Sequence, residues 1–329
     1  MIGRQQQEQR CFRGVSSMAS SSTSTSYFVP DGVAKDSMNV KRLVSFFEHG
    51  KRVAVITGAG VSTESGIPDY RGEKGSYRHG HKPMMHQEFV SSLSKRKRYW
   101  ARSLVGYKYF HDRRPNSTHE ALSFLENEGY VSGIVTQNVD RLHHRAGSKN
   151  IVELHGRNDV VRCMSCGADE SRTRFQKRVL DSNKDWISAY MPFASNPDRV
   201  DISTVRADGD ANLEDSDLSS FGVPSCLSCK EGNVMPRIVF FGGSIEKDIK
   251  ERAAKIIEES DKLLILGSSC HVYSAYRLVR DAHETDMPIA AVNVGEMRVD
   301  DMLSLKLDNT LCSDALQAVI SALPPSSSE

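Results

Sequence analysis

Four cysteines form two closely spaced pairs, and this spacing is typical of a metal site. Cys163 and Cys166 are separated by two residues, and Cys226 and Cys229 repeat the spacing. Two such pairs supply the four thiolates of a tetrahedral zinc site, which leaves no coordination position for a reacting water. The pattern therefore predicts a structural zinc, with catalysis elsewhere. A redox dithiol is the alternative for either pair, and two pairs in one segment disfavour it.

A second candidate site is the glycine-opened segment 58–71, which follows a short apolar run. Gly58 and Gly60 would let backbone N–H groups approach a phosphate at the start of a helix. The third glycine, Gly66, comes six residues after the second instead of three, so the dinucleotide-binding fingerprint of dehydrogenases is not met. On this motif alone, a structural turn and a nucleotide site fit equally well.

Polar residues that follow a later apolar run form a third candidate site. Gln137 and Asn138, with Asp140 close behind, place two amides and a carboxylate where they could orient a sugar hydroxyl or a carboxamide. Asp140 could instead cap the helix that begins after it.

A candidate general base, His155, follows another apolar run and precedes a glycine. A histidine at a strand end within a cleft can accept a proton near neutral pH. On composition alone, His119, His143 and His144 compete with it. The choice of His155 therefore depends on the fold.

Short apolar runs that end in glycine or polar residues predict the strands that would position these groups. The first run is Val53–Thr57, and helical segments such as Ile245–Ser260 separate the later ones. This alternation is typical of a doubly wound, Rossmann-like α/β fold with a parallel sheet, in which ligands bind at the carboxyl ends of the strands. The other predicted strands are Gly133–Thr136, Ile151–Leu154, Ile238–Phe241, Leu263–Leu266 and Ile289–Val292.

Two charged segments differ in composition from their surroundings. The acidic run Asp208–Asp217 lies between the cysteine pairs and predicts a solvated loop within a small insert, since such a composition cannot bury a core. The basic run Lys95–Arg98 indicates a solvated helix face, with a nuclear-targeting patch as the alternative.

The composition is that of a globular protein with one large domain and a smaller one. Its 329 residues are 39% hydrophobic and 26% charged, with a net charge of +1, so there is no global attraction to nucleic acid or membranes. No apolar run approaches the ~20 residues that cross a bilayer. We therefore expect no nucleic-acid partner and no membrane span, and the sequence does not indicate an oligomeric state.

The N-terminal residues have the composition of an organelle transit peptide. Arg4, Arg10 and Arg13 accompany a single acid, Glu8, and a serine-rich run 16–24 follows. We expect import into the mitochondrial matrix, with the plastid, or the nucleus and cytosol, as alternatives. A disordered tail without targeting function also fits.

Taken together, the motifs resemble the sirtuin family in order and spacing from about Asp36 to Leu323. The motifs are 58–71, 136–143, 153–156, the two cysteine pairs, 267–269 and 293–295. Within the family, the chain is most similar to the class II, mitochondrial sirtuin-4 type, in segments 64–71, 98–102 and 272–277.

The resemblance implies an NAD-dependent protein-lysine deacylase. It is also compatible with a second activity, ADP-ribosyl transfer to proteins. Such an enzyme consumes NAD as a co-substrate and releases nicotinamide and O-acyl-ADP-ribose. His155 would be the general base that deprotonates a ribose hydroxyl of NAD, and Asn138 would be the second catalytic residue. Cys163, Cys166, Cys226 and Cys229 would hold one structural Zn²⁺.

The resemblance also implies binding residues for NAD and for an acyl-lysine peptide, which would add as a strand. The implied NAD-binding residues are Gly58, Ala59, Gly60, Thr63, Tyr70, Arg71, Gln137, Asn138, Asp140, Gly267, Ser268, Ser269, Asn293, Val294, Gly295 and Cys312. The implied peptide-binding residues are Ile238, Val239, Phe240, Phe241 and Gly242.

The implied organisation is a transit peptide or tail at 1–35, a catalytic domain at 36–323 and a tail at 324–329. The NAD-binding part would comprise 36–75, 115–160 and 235–323, and the zinc-binding part 161–234.

Some positions depart from the family pattern, and they bear on substrate choice. Met235-Pro236-Arg237 replaces the usual Lys-Pro-Asp, and Gly243 replaces an acidic residue. Counting from Trp100, Ser103 and Gly106 stand where sirtuins specialised for succinyl-lysine and malonyl-lysine have a tyrosine and an arginine. The activity could also be absent, leaving a zinc-stabilised NAD sensor or interaction module, and a dehydrogenase is disfavoured by the glycine spacing.

Overall fold

The structure, a computed structural model, describes residues 26–30, 37–47, 51–78, 80, 82–190, 206–209, 213 and 218–323. Most of the predicted tail 1–35, all of 324–329 and most of the acidic run lie outside these ranges. No helix within them is long and apolar enough to span a bilayer.

Six parallel strands form the central sheet. They are β1 (Val53–Thr57), β2 (Val131–Thr136), β3 (Ile151–Glu153), β7 (Lys262–Leu266), β8 (Ile289–Val292) and β9 (Leu305–Leu307). Their order is β3-β2-β1-β7-β8-β9, so the chain reverses its direction of progress across the sheet between β1 and β7. A doubly wound sheet binds its ligand at such a switch point. The predicted α/β fold is confirmed.

Helices cover both faces of this sheet. Those that pack on it are α1 (Ser37–Phe46), α4 (Ser117–Asn127), α8 (Lys247–Glu258), α9 (Tyr273–His283) and α10 (Cys312–Ala322). The other helices of the described residues are α2 (His86–Ser91), α3 (Leu93–His111), α5 (Leu142–Arg145), α6 (Arg172–Ser182) and α7 (Lys184–Tyr190). In the central strand β1, Val53 and Val55 pack towards α1, α4 and α10, whereas Ala54 and Ile56 pack towards α8 and α9. This alternation of faces explains why β1 is apolar throughout.

A second, antiparallel sheet has its own core. It consists of β4 (Gly156–Cys163), β5 (Asp169–Ser171) and β6 (Val234–Ile238), in the order β5-β4-β6. Trp100 of α3 is fully buried at its centre, packs at 4.6 Å from the Phe175 ring and donates from Nε1 to Val234 O at 3.2 Å. This core is therefore shared between the cysteine-containing segment and α3.

The structure corrects one strand prediction and adds a strand to the parallel sheet. The run Ile238–Phe241 is not a strand of the parallel sheet, because β6 pairs antiparallel with β4 and ends at Ile238. A short apolar run fits either kind of sheet, so its pairing could not be read from the sequence. Strand β9 was not predicted, because Lys306 at its centre interrupts the apolar run.

The basic run is only partly a solvated face. Lys95 and Arg98 are exposed, but Arg96 is buried and donates to Phe89 O and Val90 O at 3.0 and 2.8 Å. Its guanidinium thus binds the last carbonyls of α2, where a cation is favourable.

Two glycine turns cross at the carboxyl ends of β1 and β7. Gly60 N donates to Gly267 O at 2.9 Å, and a Cβ on Gly60 would lie 2.8 Å from Gly267 Cα. Gly267 itself has φ of +55°, and a Cβ there would lie 2.5 Å from Val61 N. The crossing therefore requires glycine on both sides.

We expect Gly267→Ala to destabilise the protein more than Gly129→Ala. Gly129 also has positive φ, at +78°, but no atom lies within 4 Å of an added Cβ. Both changes should cost ~1 kcal/mol for the left-handed backbone, and only Gly267→Ala adds the overlap with Val61. Urea unfolding without ligands measures the difference, and equal losses would contradict the crossing.

Candidate functional site

A cavity of about 1210 Å³ opens at the carboxyl ends of the parallel strands, beside the glycine crossing. Every residue that the sequence implied for NAD or for the peptide lines this cavity, and His155 and Asn138 are among them. The implied zinc ligands do not line it. Residues that follow five strands of the parallel sheet, and residues that follow β6, therefore line one cavity.

The first group of polar residues is a hydrogen-bonded triad at the cavity floor. Ser62 Oγ donates to Asp140 Oδ2 at 2.7 Å, and Asn138 Nδ2 donates to Ser62 Oγ at 3.1 Å and to Gly58 O at 3.0 Å. Asp140 Oδ1 also accepts from Leu142 N, the first residue of α5, at 2.9 Å, so Asp140 both binds the start of this helix and holds the triad, while Arg141 occupies the N-cap position. Asn138 is consequently fixed in orientation.

Ser62 was not singled out from the sequence, although it lies within the glycine-opened segment. Its partners Asn138 and Asp140 are 76 and 78 residues away in the chain. The segment itself could have drawn attention to it, but its bonding could not have been predicted.

His155 is held in one tautomer by its two hydrogen-bond partners. Nδ1 lies 3.1 Å from Gln137 O, and Nε2 lies 2.8 Å from Ser274 Oγ. A carbonyl can only accept, so Nδ1 carries the proton and Nε2 presents its lone pair, to which Ser274 donates. Burial lowers the pKa of His155 to about 4, and the Gln137 carbonyl opposes that shift. The imidazole is therefore neutral at pH 7, as a general base must be.

The three competing histidines do not line the cavity. His119 and His143 are buried against each other with ring centroids 4.8 Å apart, and burial lowers the pKa of both. His144 lies 2.9 Å from Arg141 Nη1. Position in the fold thus distinguishes His155 from the others.

A loop at residues 69–78 covers one side of the cavity. Gly72 N donates to Asp69 Oδ1 at 2.9 Å, and Tyr77 N donates to Tyr70 O at 3.0 Å. The Arg71 guanidinium lies 5.2 Å from the centre of the Tyr77 ring. Local bonds therefore fold this loop, hereafter the cofactor loop, back on itself.

The insert also reaches the cavity, and this corrects the solvated-loop prediction at the start of the acidic run, where Asp208 is half-buried and Gly209 is buried. Ala207 and Asp208 line the cavity, Arg206 and Ala207 are buried, and Ala207 N donates to Ser76 Oγ at 3.4 Å. An acidic composition indicates exposure on average, but it does not show that one end of the run packs against the cofactor loop.

The four cysteine sulfurs lie together, all within 4.8 Å of one another. Backbone N–H groups point at them: Cys166 N lies 3.4 Å from Cys163 Sγ, and Gly232 N lies 3.3 Å from Cys229 Sγ. Such bonds stabilise thiolates, and the Cys166 N–H lowers the pKa of Cys163 to about 6. The donor set and its spacing fit tetrahedral Zn²⁺.

Known proteins are similar to this chain in sequence and in fold. The profile of the Sir2 family matches residues 58–274. The mitochondrial NAD-dependent protein lipoamidase sirtuin-4 of Homo sapiens is 42% identical over 301 residues, 91% of this chain and 91% of that protein. NAD-dependent protein deacetylase 2 of Bradyrhizobium diazoefficiens is 44% identical over 274 residues, 83% of this chain and 95% of that protein. A solved Sir2 structure with a p53 peptide and NAD⁺ has a TM-score of 0.65 at 26% identity and covers 86% of this chain and 97% of that chain.

We expect Cys226→Ser to lose bound zinc and to lower the free energy of unfolding, because the metal joins the two halves of the insert. Cys270→Ser is the matched control, since Cys270 lies outside the cluster and should keep the zinc. Metal analysis by plasma mass spectrometry and urea unfolding measure both effects. Full zinc content in Cys226→Ser would contradict the assignment.

Proposed function

The chain belongs to the Sir2 family, and we propose that it is an NAD-dependent protein-lysine deacylase that releases nicotinamide and O-acyl-ADP-ribose. The observation that supports this most directly is the neutral His155, whose Nε2 lone pair faces a cavity that Asn138 and the glycine turns also line. ADP-ribosyl transfer to proteins fits the same site.

In the proposed reaction, NAD supplies the ADP-ribosyl group that accepts the acyl oxygen as nicotinamide leaves. His155 Nε2 accepts the proton of a ribose hydroxyl, and Ser274 must then give up its bond to that nitrogen. Asn138 and Asp140 orient the ribose. Both side chains are held by Ser62 Oγ, which lies 3.1 Å from Asn138 Nδ2 and 2.7 Å from Asp140 Oδ2. The crossing of Gly60 and Gly267 lets backbone approach the pyrophosphate.

The peptide is proposed to bind along the segment that leaves β6. Val239 N donates to His155 O at 2.8 Å, and His86 N donates to Phe241 O at 2.9 Å, so the backbone here is fixed from both sides. Phe241 is 39% exposed at the cavity. An extended peptide added beside this segment would bring its acyl-lysine towards His155.

The acyl chain is proposed to be neutral. Ser103 is buried and its Oγ accepts from Arg172 Nη2 at 3.1 Å, and neither Ser103 nor Gly106 lines the cavity. Beside the polar triad, the apolar side chains of Ile67, Val139 and Ile238 line the cavity. Such an apolar patch favours acyl groups without charge, including long ones.

The geometry does not favour an NAD sensor without turnover. Such a module would need the ribose contacts but no proton acceptor, whereas His155 is fixed in the tautomer whose unprotonated Nε2 lies on the cavity side.

We also propose the mitochondrial matrix as the location. The Arg- and Ser-rich N-terminus supports it, and so does the similarity to the human mitochondrial protein. Imaging the full chain with a C-terminal fluorescent tag tests the proposal, and a signal confined to the plastid, nucleus or cytosol would reject it.

We expect His155→Ala to lower deacylation by at least about a hundredfold, because a general base contributes ~10²–10⁴. Zinc content and unfolding should not change. His283→Ala, which removes an exposed histidine of α9, is the control. Release of nicotinamide and loss of the acyl group from lysine peptides are measured by mass spectrometry, and near-normal turnover in His155→Ala would refute the role.

We expect a succinyl-lysine peptide to be a much poorer substrate than its succinamoyl counterpart, which differs only by an amide in place of the carboxylate. Burying an unpaired carboxylate costs on the order of several kcal/mol, which is at least about a hundredfold in kcat/KM. Acetyl and longer neutral chains complete the series. A clear preference for succinyl would show that a cation reaches the acyl chain.

A further inference from the structure

A short turn near the N-terminus, Ser26–Phe28, packs on the cofactor side of the domain although it is remote from that site in sequence. Phe28 is only 6% exposed, and its turn contacts the 3-10 helix Ala59–Ser65 that follows the glycine crossing. Two residues on, Pro30 lines the cavity itself. These residues lie within the stretch predicted as a leader or tail, yet they are built into the domain.

The same turn also contacts the cofactor loop. The Lys74 ammonium lies 5.3 Å from the centre of the Tyr27 ring, and that ring packs edge-to-face on Phe28 at 5.0 Å. An ammonium over a phenol ring is attracted by the ring's electron density. Tyr27 therefore links the tip of the loop to the N-terminal turn, whose Phe28 is buried.

The cofactor loop depends on such outside contacts. Its own bonds are short-range, such as Gly75 N to Gly72 O and Ser76 N to Asp69 O, and none pairs it with a strand. The insert contacts it through Ala207 at Ser76, and Tyr27 contacts it at Lys74. Within the described ranges, the N-terminal turn thus adds a contact at Lys74 to the one that the insert makes at Ser76.

We propose that Tyr27, Phe28 and Pro30 are positioning residues for NAD, which hold the cofactor loop in its folded arrangement over the cavity. The proposal rests on the proposed function in taking NAD as the ligand. It follows that any cleavage that removes a leader must occur before Ser26, because a later cut would remove the support.

The test compares full-chain variants for NAD binding and turnover. By the strength of cation–π and aromatic contacts, we expect the KM for NAD to rise about threefold in Tyr27→Ala and about tenfold in Phe28→Ala, with kcat within about twofold of the parent. Tyr27→Phe keeps the ring and should behave as the parent does. Phe124→Ala, which removes a partly exposed ring of α4 outside the cavity, is the control for loss of an aromatic side chain.

A second readout requires no NAD. Trypsin cleaves after Lys74 only when the loop opens, so cleavage there, followed by mass spectrometry, should accelerate severalfold in Tyr27→Ala and Phe28→Ala but not in the two controls. If the parent neither binds NAD nor turns over, the proposed function fails while the cleavage rates still test the support. Unchanged KM together with unchanged cleavage at Lys74 in Tyr27→Ala overturns the proposal, even if Phe28→Ala does not fold.

Discussion

The backbone crossing at the ends of β1 and β7 is the constraint on which the site depends. Gly60 and Gly267 approach so closely that neither could carry a side chain. Both amides of the floor are bonded to this crossing: Asn138 donates to Gly58 O, and Gln137 donates to Ser268 Oγ at 2.7 Å. The place where the chain reverses its progress across the sheet therefore also fixes the groups that would hold the ribose.

The state of His155 follows from the same assembly. The carbonyl that fixes its tautomer belongs to Gln137, whose side chain is bonded to the crossing, and burial keeps the imidazole neutral. A neutral base at pH 7, whose Nε2 accepts a hydrogen bond from Ser274, thus arises from backbone geometry and desolvation together. The glycine crossing, the amides of Gln137 and Asn138 and the imidazole of His155 thus form one hydrogen-bonded unit.

The cofactor loop is contacted by segments outside the parallel sheet. Among the described residues these include Ala207 of the insert, at Ser76, and Tyr27 of the N-terminal turn, at Lys74. The insert has a core of its own around Trp100 and a separate metal cluster. Because Ala207 of the insert contacts the cofactor loop, folding of the insert is linked to the support of that loop.

The sequence by itself determined whatever is encoded locally: the apolar runs of the parallel sheet, the paired cysteines and the motifs whose order resembles the sirtuin family. From these, the fold and the residues around the cavity could be predicted. Tertiary structure alone decided that His155 rather than His143 faces the cavity, that Ile238–Phe241 leaves the antiparallel sheet, and that Ser274 and Phe28 join the site. The physical reason is that these outcomes depend on partners far apart in the chain, such as His155 and Ser274 at a separation of 119 residues. The hydrophobic periodicity of a sequence predicts helices and strands, but not which distant side chains come into contact.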